Sequence, residues 1–167
     1  GMTKPAFKRF INNKYIPWDV HNFGFKANLS DINASILVDQ IYNYPKVAKI
    51  KKKIFFKMKK ALNNIHQIKF PKNYINKERD YYLFPIGVDR KYRNQLIEYL
   101  LDKKIFVTVN FRSITDLDYF KKKYKNKKCI ISKKWGEEQI SLPFHIKITQ
   151  KEIKTISQEI KNFFKKF

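Results

Sequence analysis

The sequence predicts an α/β fold: a small layered domain preceded by helices. Three observations carry this. A strand-like run, an amphipathic segment and a β-branched run follow one another from Tyr81 to Val109, the pattern of a compact strand-helix-strand unit. Upstream, apolar residues recur at helical spacing from Ile32 to Ile65. Downstream, a capping-box sequence at Thr149 opens a second long apolar stripe that runs to Phe164.

Taken in order, Gly1 ahead of Met2 reads as the scar of a removed expression tag and is left out of the fold argument. Residues 1–23 have weak periodicity and contain Pro5 and Pro17, so an irregular lead-in is expected, with a short helical turn around Phe7 to Phe10. Ser30 can cap a helix over 30–44 carrying Ile32, Ile36, Leu37 and Ile41, and Pro45 is expected to end it. A longer helix then runs from about Lys46 to Ile65, with Val47, Ile50, Ile54, Met58, Ala61 and Leu62 on one stripe and lysines on the wet face. Residues 67–77 read as a loop. Tyr81 to Val88 is strand-like, and its Pro85 points to an edge or a bulge. Asp89 can cap a helix bearing Leu96, Ile97, Leu100 and Leu101; a strand over Ile105 to Val109, a short helix over 116–124 and a third strand at Ile140 to Leu142 follow. The closing helix presents Ile153, Ile156, Ile160, Phe163 and Phe164.

A chain of 167 residues suits one ordinary domain, and 43% hydrophobic with 16% aromatic residues supplies a core and excludes wholesale disorder. The single cysteine, Cys129, excludes an intrachain disulfide framework and agrees with a reducing compartment. No run approaches the roughly 18 apolar residues of a membrane span, and the N-terminus lacks a signal-peptide core. A soluble cytoplasmic protein without a membrane partner is expected. The formal charge of +23 arises from 37 basic against 14 acidic residues. Only five of the 37 are Arg (Arg9, Arg79, Arg90, Arg93 and Arg112), which leaves 32 Lys. Base and phosphate recognition favours the rigid Arg fork, whereas abundant Lys with Ile, Asn, Phe and Tyr is the mix expected from an A/T-rich genome. The charge is therefore read as solvated lysine faces rather than as a nucleic-acid site.

Self-contained chemistry is absent from the sequence. His21, His66 and His145 are widely separated and share no metal-ligand spacing with Cys129 or a carboxylate, so no metal site is expected. Gly1, Gly24, Gly87 and Gly136 form neither a phosphate loop nor a dinucleotide fingerprint. Glu137 and Glu138 are adjacent, which on a helix points them apart, so they read as solvent-facing rather than as an acid/base pair.

Three phrases in fixed order stand out: Gly24-Phe25-Lys26-Ala27-Asn28-Leu29-Ser30-Asp31-Ile32-Asn33-Ala34, then Tyr82-Leu83-Phe84-Pro85-Ile86-Gly87-Val88-Asp89, then Ser141-Leu142-Pro143. Their order resembles the C-terminal part of the DegT/DnrJ/StrS family of pyridoxal-phosphate (PLP) sugar aminotransferases, especially a subgroup with Gly-Tyr-Lys-Tyr-Asn-Leu-Thr-Asp-Ile-Asn-Ala-Ala. The resemblance runs from about Ala6 to Phe164. It implies the small C-terminal α/β domain of an aspartate-aminotransferase-like, fold type I enzyme: a short, mostly antiparallel sheet with packed helices, preceded by a long bridging helix. Residues 24–66 would then be the end of the large domain and its bridging helices, and 67–167 the small domain.

The resemblance also implies roles. Lys26 and Asn28 match positions that contact the cofactor phosphate of the other subunit. Asn110 stands where the family has a histidine and Thr115 where it has a second one, so the chain departs from the pattern there, while Arg112 matches an Arg of the closer subgroup. Asn110 and Arg112 are the candidate substrate-binding residues. The Schiff-base Lys and the acidic partner of the pyridine nitrogen lie upstream in the family, and none of the 32 lysines stands in the family's Ser-x-x-x-Lys phrase followed by a Gly-rich turn. No catalytic residue is therefore assigned. The expected function is that of a C-terminal portion of a nucleotide-sugar aminotransferase in polysaccharide or lipopolysaccharide synthesis, inactive alone and not binding PLP by itself. It would act as a homo-oligomer or with a partner carrying the N-terminal cofactor domain. The alternatives are a regulatory or dimerisation module and, with less support, a basic nucleic-acid-binding protein.

Overall fold

The computed structural model describes residues 10–11, 14–15, 23, 25, 29–71, 80–123 and 129–167. Contacts divide the chain into two units, 1–42 and 43–167. In the first, β1 (Phe10–Ile11) pairs antiparallel with β2 (Lys14–Tyr15), Phe10 opposite Tyr15 and Ile11 opposite Lys14. Phe10, expected at the end of a helical turn, is thus in a strand, and residues 7–9 lie outside the described residues. The helix α1 (Asp31–Leu62) begins as its sequence directs: the Asn33 amide donates to the Ser30 hydroxyl at 3.3 Å, and Asp31 lies in the first turn, where the helix dipole favours a negative charge.

The two helices expected on either side of Pro45 are one helix of 32 residues. Proline removes a single bond of the ladder and crowds the preceding turn, but the segment beyond it is held by burial of Ile54, Phe55, Met58 and Leu62. That anchorage outweighs one missing bond.

In the second unit β3 (Ile68–Lys69), β4 (Phe84–Val88) and β5 (Gln139–Leu142) form an antiparallel sheet in the order β3-β4-β5. β3 lies within the stretch expected to be loop. The strand with Pro85 is central rather than at an edge, and the register explains how it tolerates a proline. Pro85 faces Ser141, whose N–H and C=O turn away from β4 to Thr108 (2.7 and 3.2 Å). Pro85 and Ser141 are therefore a non-hydrogen-bonded pair, and the N–H that proline lacks would have pointed to the β3 side. There β3 pairs with Val88 and Gly87 and stops short of Pro85. The run Ile105 to Val109, expected as a strand, contributes one bridge, Thr108 to Ser141.

α2 (Arg90–Asp102) starts on Asp89, whose carboxylate accepts from the Lys91 amide at 3.0 Å. It packs on α5 (Gln150–Phe164), on α4 (Ile130–Glu138) and on β5. Between α2 and α4 lie a 3-10 turn at Ile114–Asp116 and the short α3 (Asp118–Lys123); α3 falls within the short helix expected over 116–124, and the 3-10 turn before it was not expected. The core joins the C-terminal half of α1, the sheet, and the apolar faces of α2 and α5. At its centre the Phe55 ring lies 4.5 Å from Tyr81, 5.1 Å from Phe84 and 6.4 Å from Phe144.

The capping box is formed as read: the Glu152 amide donates to the Thr149 hydroxyl at 3.2 Å, and the Thr149 amide donates to the Glu152 carboxylate at 2.7 Å. That backbone bond, with the Thr149 hydroxyl second, holds the Glu152 carboxyl below its ordinary pKa. A depressed pKa contributes stability that is complete above the ordinary Glu range and is lost as pH falls through the folded value. Thr149→Ala is expected to cost about 1 kcal/mol near neutral pH and less in acid, where Glu152 is protonated in both variants. Urea unfolding at the two pH values checks this; an equal cost at both would remove the carboxylate from the cap.

Candidate functional site

The candidate substrate-facing residues sit on the segment that leaves the Thr108 bridge. Gln139, wholly buried at the start of β5, holds that segment by its side chain. Its carbonyl oxygen accepts the Asn110 amide at 2.8 Å, and its NH2 donates to the Ser141 hydroxyl at 2.6 Å. The Thr108 hydroxyl donates to the Asn110 side-chain oxygen. Asn110 is therefore fixed through both backbone and side chain, half-buried at the mouth of the loop. The sequence reading missed Gln139. A glutamine between two glutamates and an apolar strand looks like a boundary residue, and only the fold shows that both its polar groups are used inside.

Three residues beyond Asn110, Ser113 is buried and its hydroxyl pairs with Thr115 (2.9 Å) and with Ser132 of α4 (3.2 Å). Thr115 thus takes part in a structural chain of hydroxyls. Arg112 is exposed and donates from Nη2 to the Asp116 carbonyl at 3.2 Å. α4 approaches this segment closely because residue 136 is glycine: a Cβ there would stand 2.9 Å from the Ser113 nitrogen and 3.2 Å from the Arg112 Cα. The structure therefore brings Asn110 and Arg112 into one loop. Lys26 and Asn28, assigned to the cofactor phosphate, lie outside the described residues, as does His21.

Glu137 is more engaged than its expected solvent-facing role. Its carboxylate is 3.9 Å from Arg90 and 4.0 Å from Lys133, and its backbone carbonyl accepts from Arg93 Nε at 2.9 Å. His66 and His145 are exposed, and Cys129 is exposed just before α4. A Schiff-base lysine and a carboxylate that pairs with a ring nitrogen work in a desolvated setting. Among the described residues the buried polar side chains are Ser113, Gln139, Ser141 and Ser157, with no lysine and no carboxylate. No helix among the described residues is long and apolar enough to cross a membrane.

A second exposed feature is apolar. On the N-terminal part of α1, Ile32, Ile36, Leu37 and Ile41 are 75%, 53%, 44% and 61% exposed, and their spacing puts them along one side of the helix.

A model of the DegT/DnrJ/EryC1/StrS aminotransferase family matches residues 1–161, and the chain belongs to that family. SpsC of Bacillus subtilis, a spore coat polysaccharide biosynthesis protein, is 21% identical over 172 residues, covering 99% of this chain and 44% of SpsC. PseC of Helicobacter pylori, an aminotransferase involved in pseudoaminic acid biosynthesis, superposes with a TM-score of 0.80 at 15% identity, over 95% of this chain and 44% of PseC. Spr1654 of Streptococcus pneumoniae in its PLP form gives 0.76 at 22% identity, over 90% of this chain and 39% of that one. The α/β fold with its short antiparallel sheet is thus shared with fold type I aminotransferases. The chain spans less than half the length of the curated relatives it matches.

Proposed function

We propose that this chain supplies the small-domain, substrate-side portion of a nucleotide-sugar aminotransferase, acting in the cytoplasm in the synthesis of a surface polysaccharide or lipopolysaccharide. The single observation behind this reading is the family match across residues 1–161, and the polysaccharide context comes from the name of SpsC. When bound, PLP supplies the electron sink for amino transfer. Its covalent anchor and acidic partner come, on this reading, from a cofactor domain outside these 167 residues.

The roles of this chain's residues are then limited and definite. Lys26 offers charge and Asn28 a directed amide donor to the cofactor phosphate of a neighbouring subunit. Asn110, held by Gln139 and Thr108, orients the substrate, and Arg112 presents a planar fork to a substrate phosphate. The exposed row Ile32, Ile36, Leu37 and Ile41 on α1 favours an associated state, either a homo-oligomer or a pair with the cofactor domain, because apolar side chains grouped on one face lose free energy in water.

The test is reconstitution. The chain alone with PLP is expected to show no Schiff-base absorbance and no turnover of a keto-sugar nucleotide. Mixed with a separately produced cofactor half from a family member, it is expected to co-elute and to give turnover that Asn28→Ala and Arg112→Gln reduce. Turnover by the chain alone, abolished by borohydride, would refute the division of labour. Failure to associate with any cofactor half and persistence as a monomer would refute the proposed partner.

A further inference from the structure

Beside the Asn110 loop lies a cleft of about 410 Å³ between the 112–121 segment and α4. Its charged lining is Arg93, Arg112, Lys121 and Lys133 against Asp116 and Glu137, four cations to two carboxylates. Arg93 comes from α2, which neither the motifs nor the family resemblance had marked. We propose that this cleft is an anion-binding site for a phosphate or diphosphate group, with the Arg93 and Arg112 guanidinium groups as its principal donors.

The argument begins with how the two arginines are held. Arg93 donates Nε to the Glu137 carbonyl at 2.9 Å, and Arg112 donates Nη2 to the Asp116 carbonyl at 3.2 Å. Carbonyl acceptors orient a guanidinium without neutralising it. Among the described residues neither arginine lies within 4.0 Å of a carboxylate, and the Glu137 carboxylate is taken up by Arg90 and Lys133. An ordinary surface ion network would place carboxylates against its arginines. Here both arginines are oriented by carbonyls with no carboxylate at ion-pair distance among the described residues, and each group keeps N–H donors for a ligand.

Charge and shape then select the ligand. The cleft's surplus of two positive charges matches a phosphate monoester near neutral pH, which carries roughly −1.5 to −2. The planar fork of each arginine suits two phosphate oxygens at once. Close packing fixes the spacing of the walls: Gly136 lets α4 lie against the Arg112 backbone, and the Arg93 bond to the Glu137 carbonyl ties α2 to the same turn of α4. This inference stands on geometry in the chain itself, and shares only Arg112 with the aminotransferase reading.

The full chain is titrated with inorganic phosphate, with pyrophosphate and with a nucleoside diphosphate, by calorimetry or by amide NMR shifts. Saturable binding is expected, with shifts at residues 112–116 and 133–137. Arg93→Gln and Arg112→Gln are each expected to weaken it roughly tenfold, the loss typical of one charge-assisted contact, while Lys49→Gln on the exposed side of α1 leaves it unchanged. Arg93→Lys, which keeps the charge and loses the fork, should fall between wild type and Arg93→Gln. A nucleoside diphosphate that binds more tightly than pyrophosphate assigns the group to a nucleotide; equal affinities assign it to the phosphates alone. No saturation up to about 10 mM of any probe, or equal weakening by Lys49→Gln, overturns the site in favour of diffuse charge. Unfolding midpoints of the variants separate loss of donors from loss of fold. A chain that binds pyrophosphate in this way but gives no turnover with any cofactor half retains this site and refutes the aminotransferase reading alone.

Discussion

Phe55→Ala is expected to destabilise the 43–167 unit by about 3–5 kcal/mol, the range for truncating a fully buried aromatic ring. Phe55 has no solvent exposure, and among the described residues its ring lies against Phe56 at 5.7 Å, Tyr81 at 4.5 Å, Phe84 at 5.1 Å and Phe144 at 6.4 Å. Phe56 is its neighbour on α1, and the other three come from the approach to β4, from β4 itself and from the segment after β5. They are tied to different elements and cannot close the cavity without moving the sheet against α1. Since a domain of this size is stable by only about 5–15 kcal/mol, the loss should remove a large share of its stability. Urea unfolding of wild type and variant measures it. Phe55→Leu, which refills most of the volume, is expected to cost much less and keeps the measurement possible if the alanine variant does not fold. A loss below about 1 kcal/mol for Phe55→Ala would mean that α1 does not pack as described.

Gly136→Ala is expected to destabilise although alanine is the better helix former. In an exposed helix interior that substitution gains about 1 kcal/mol. At Gly136 the added Cβ meets the Ser113 nitrogen at 2.9 Å, the Arg112 Cα at 3.2 Å and the Phe111 carbonyl oxygen at 3.3 Å. All three are backbone atoms and cannot rotate aside. Overpacking of this kind costs about 1–3 kcal/mol, so the net effect is a loss, and the 111–113 segment must shift. Gly136→Val adds a branched side chain, forgoes the propensity gain and should cost more than alanine. The same variants are expected to disturb the amide signals of 110–116 in NMR spectra. If Gly136→Ala raises the unfolding midpoint, α4 does not pack against the arginine loop.

Most of the helical framework was legible because its signals are local. The stripe Ile153, Ile156, Ile160, Phe163, Phe164 and the box Thr149 to Glu152 are read within two turns, and both are present. Asp89 likewise caps α2 as its position suggests. Pro45 and Pro85 were misjudged for one reason: a proline's local cost was weighed without what surrounds it. At Pro45 the burial of Phe55 and Met58 carries the helix through. At Pro85 the strand is central, yet the missing N–H would point away from β5, so the pairing with β5 does not need it.

By itself the sequence determined the family, through three ordered phrases, together with the α/β class and the helical stripes. These depend on residue order and on periodicities of a few residues. The tertiary structure alone decided that Gln139 holds Asn110, that Gly136 admits α4 to the Arg112 backbone, and that Arg93 lines the same cleft as Arg112. Arg93 and the carbonyl that orients it are 44 positions apart. No local pattern encodes that meeting; it follows from α2 and α4 packing on one another, and packing is a property of whole faces rather than of any one residue's neighbours in the chain.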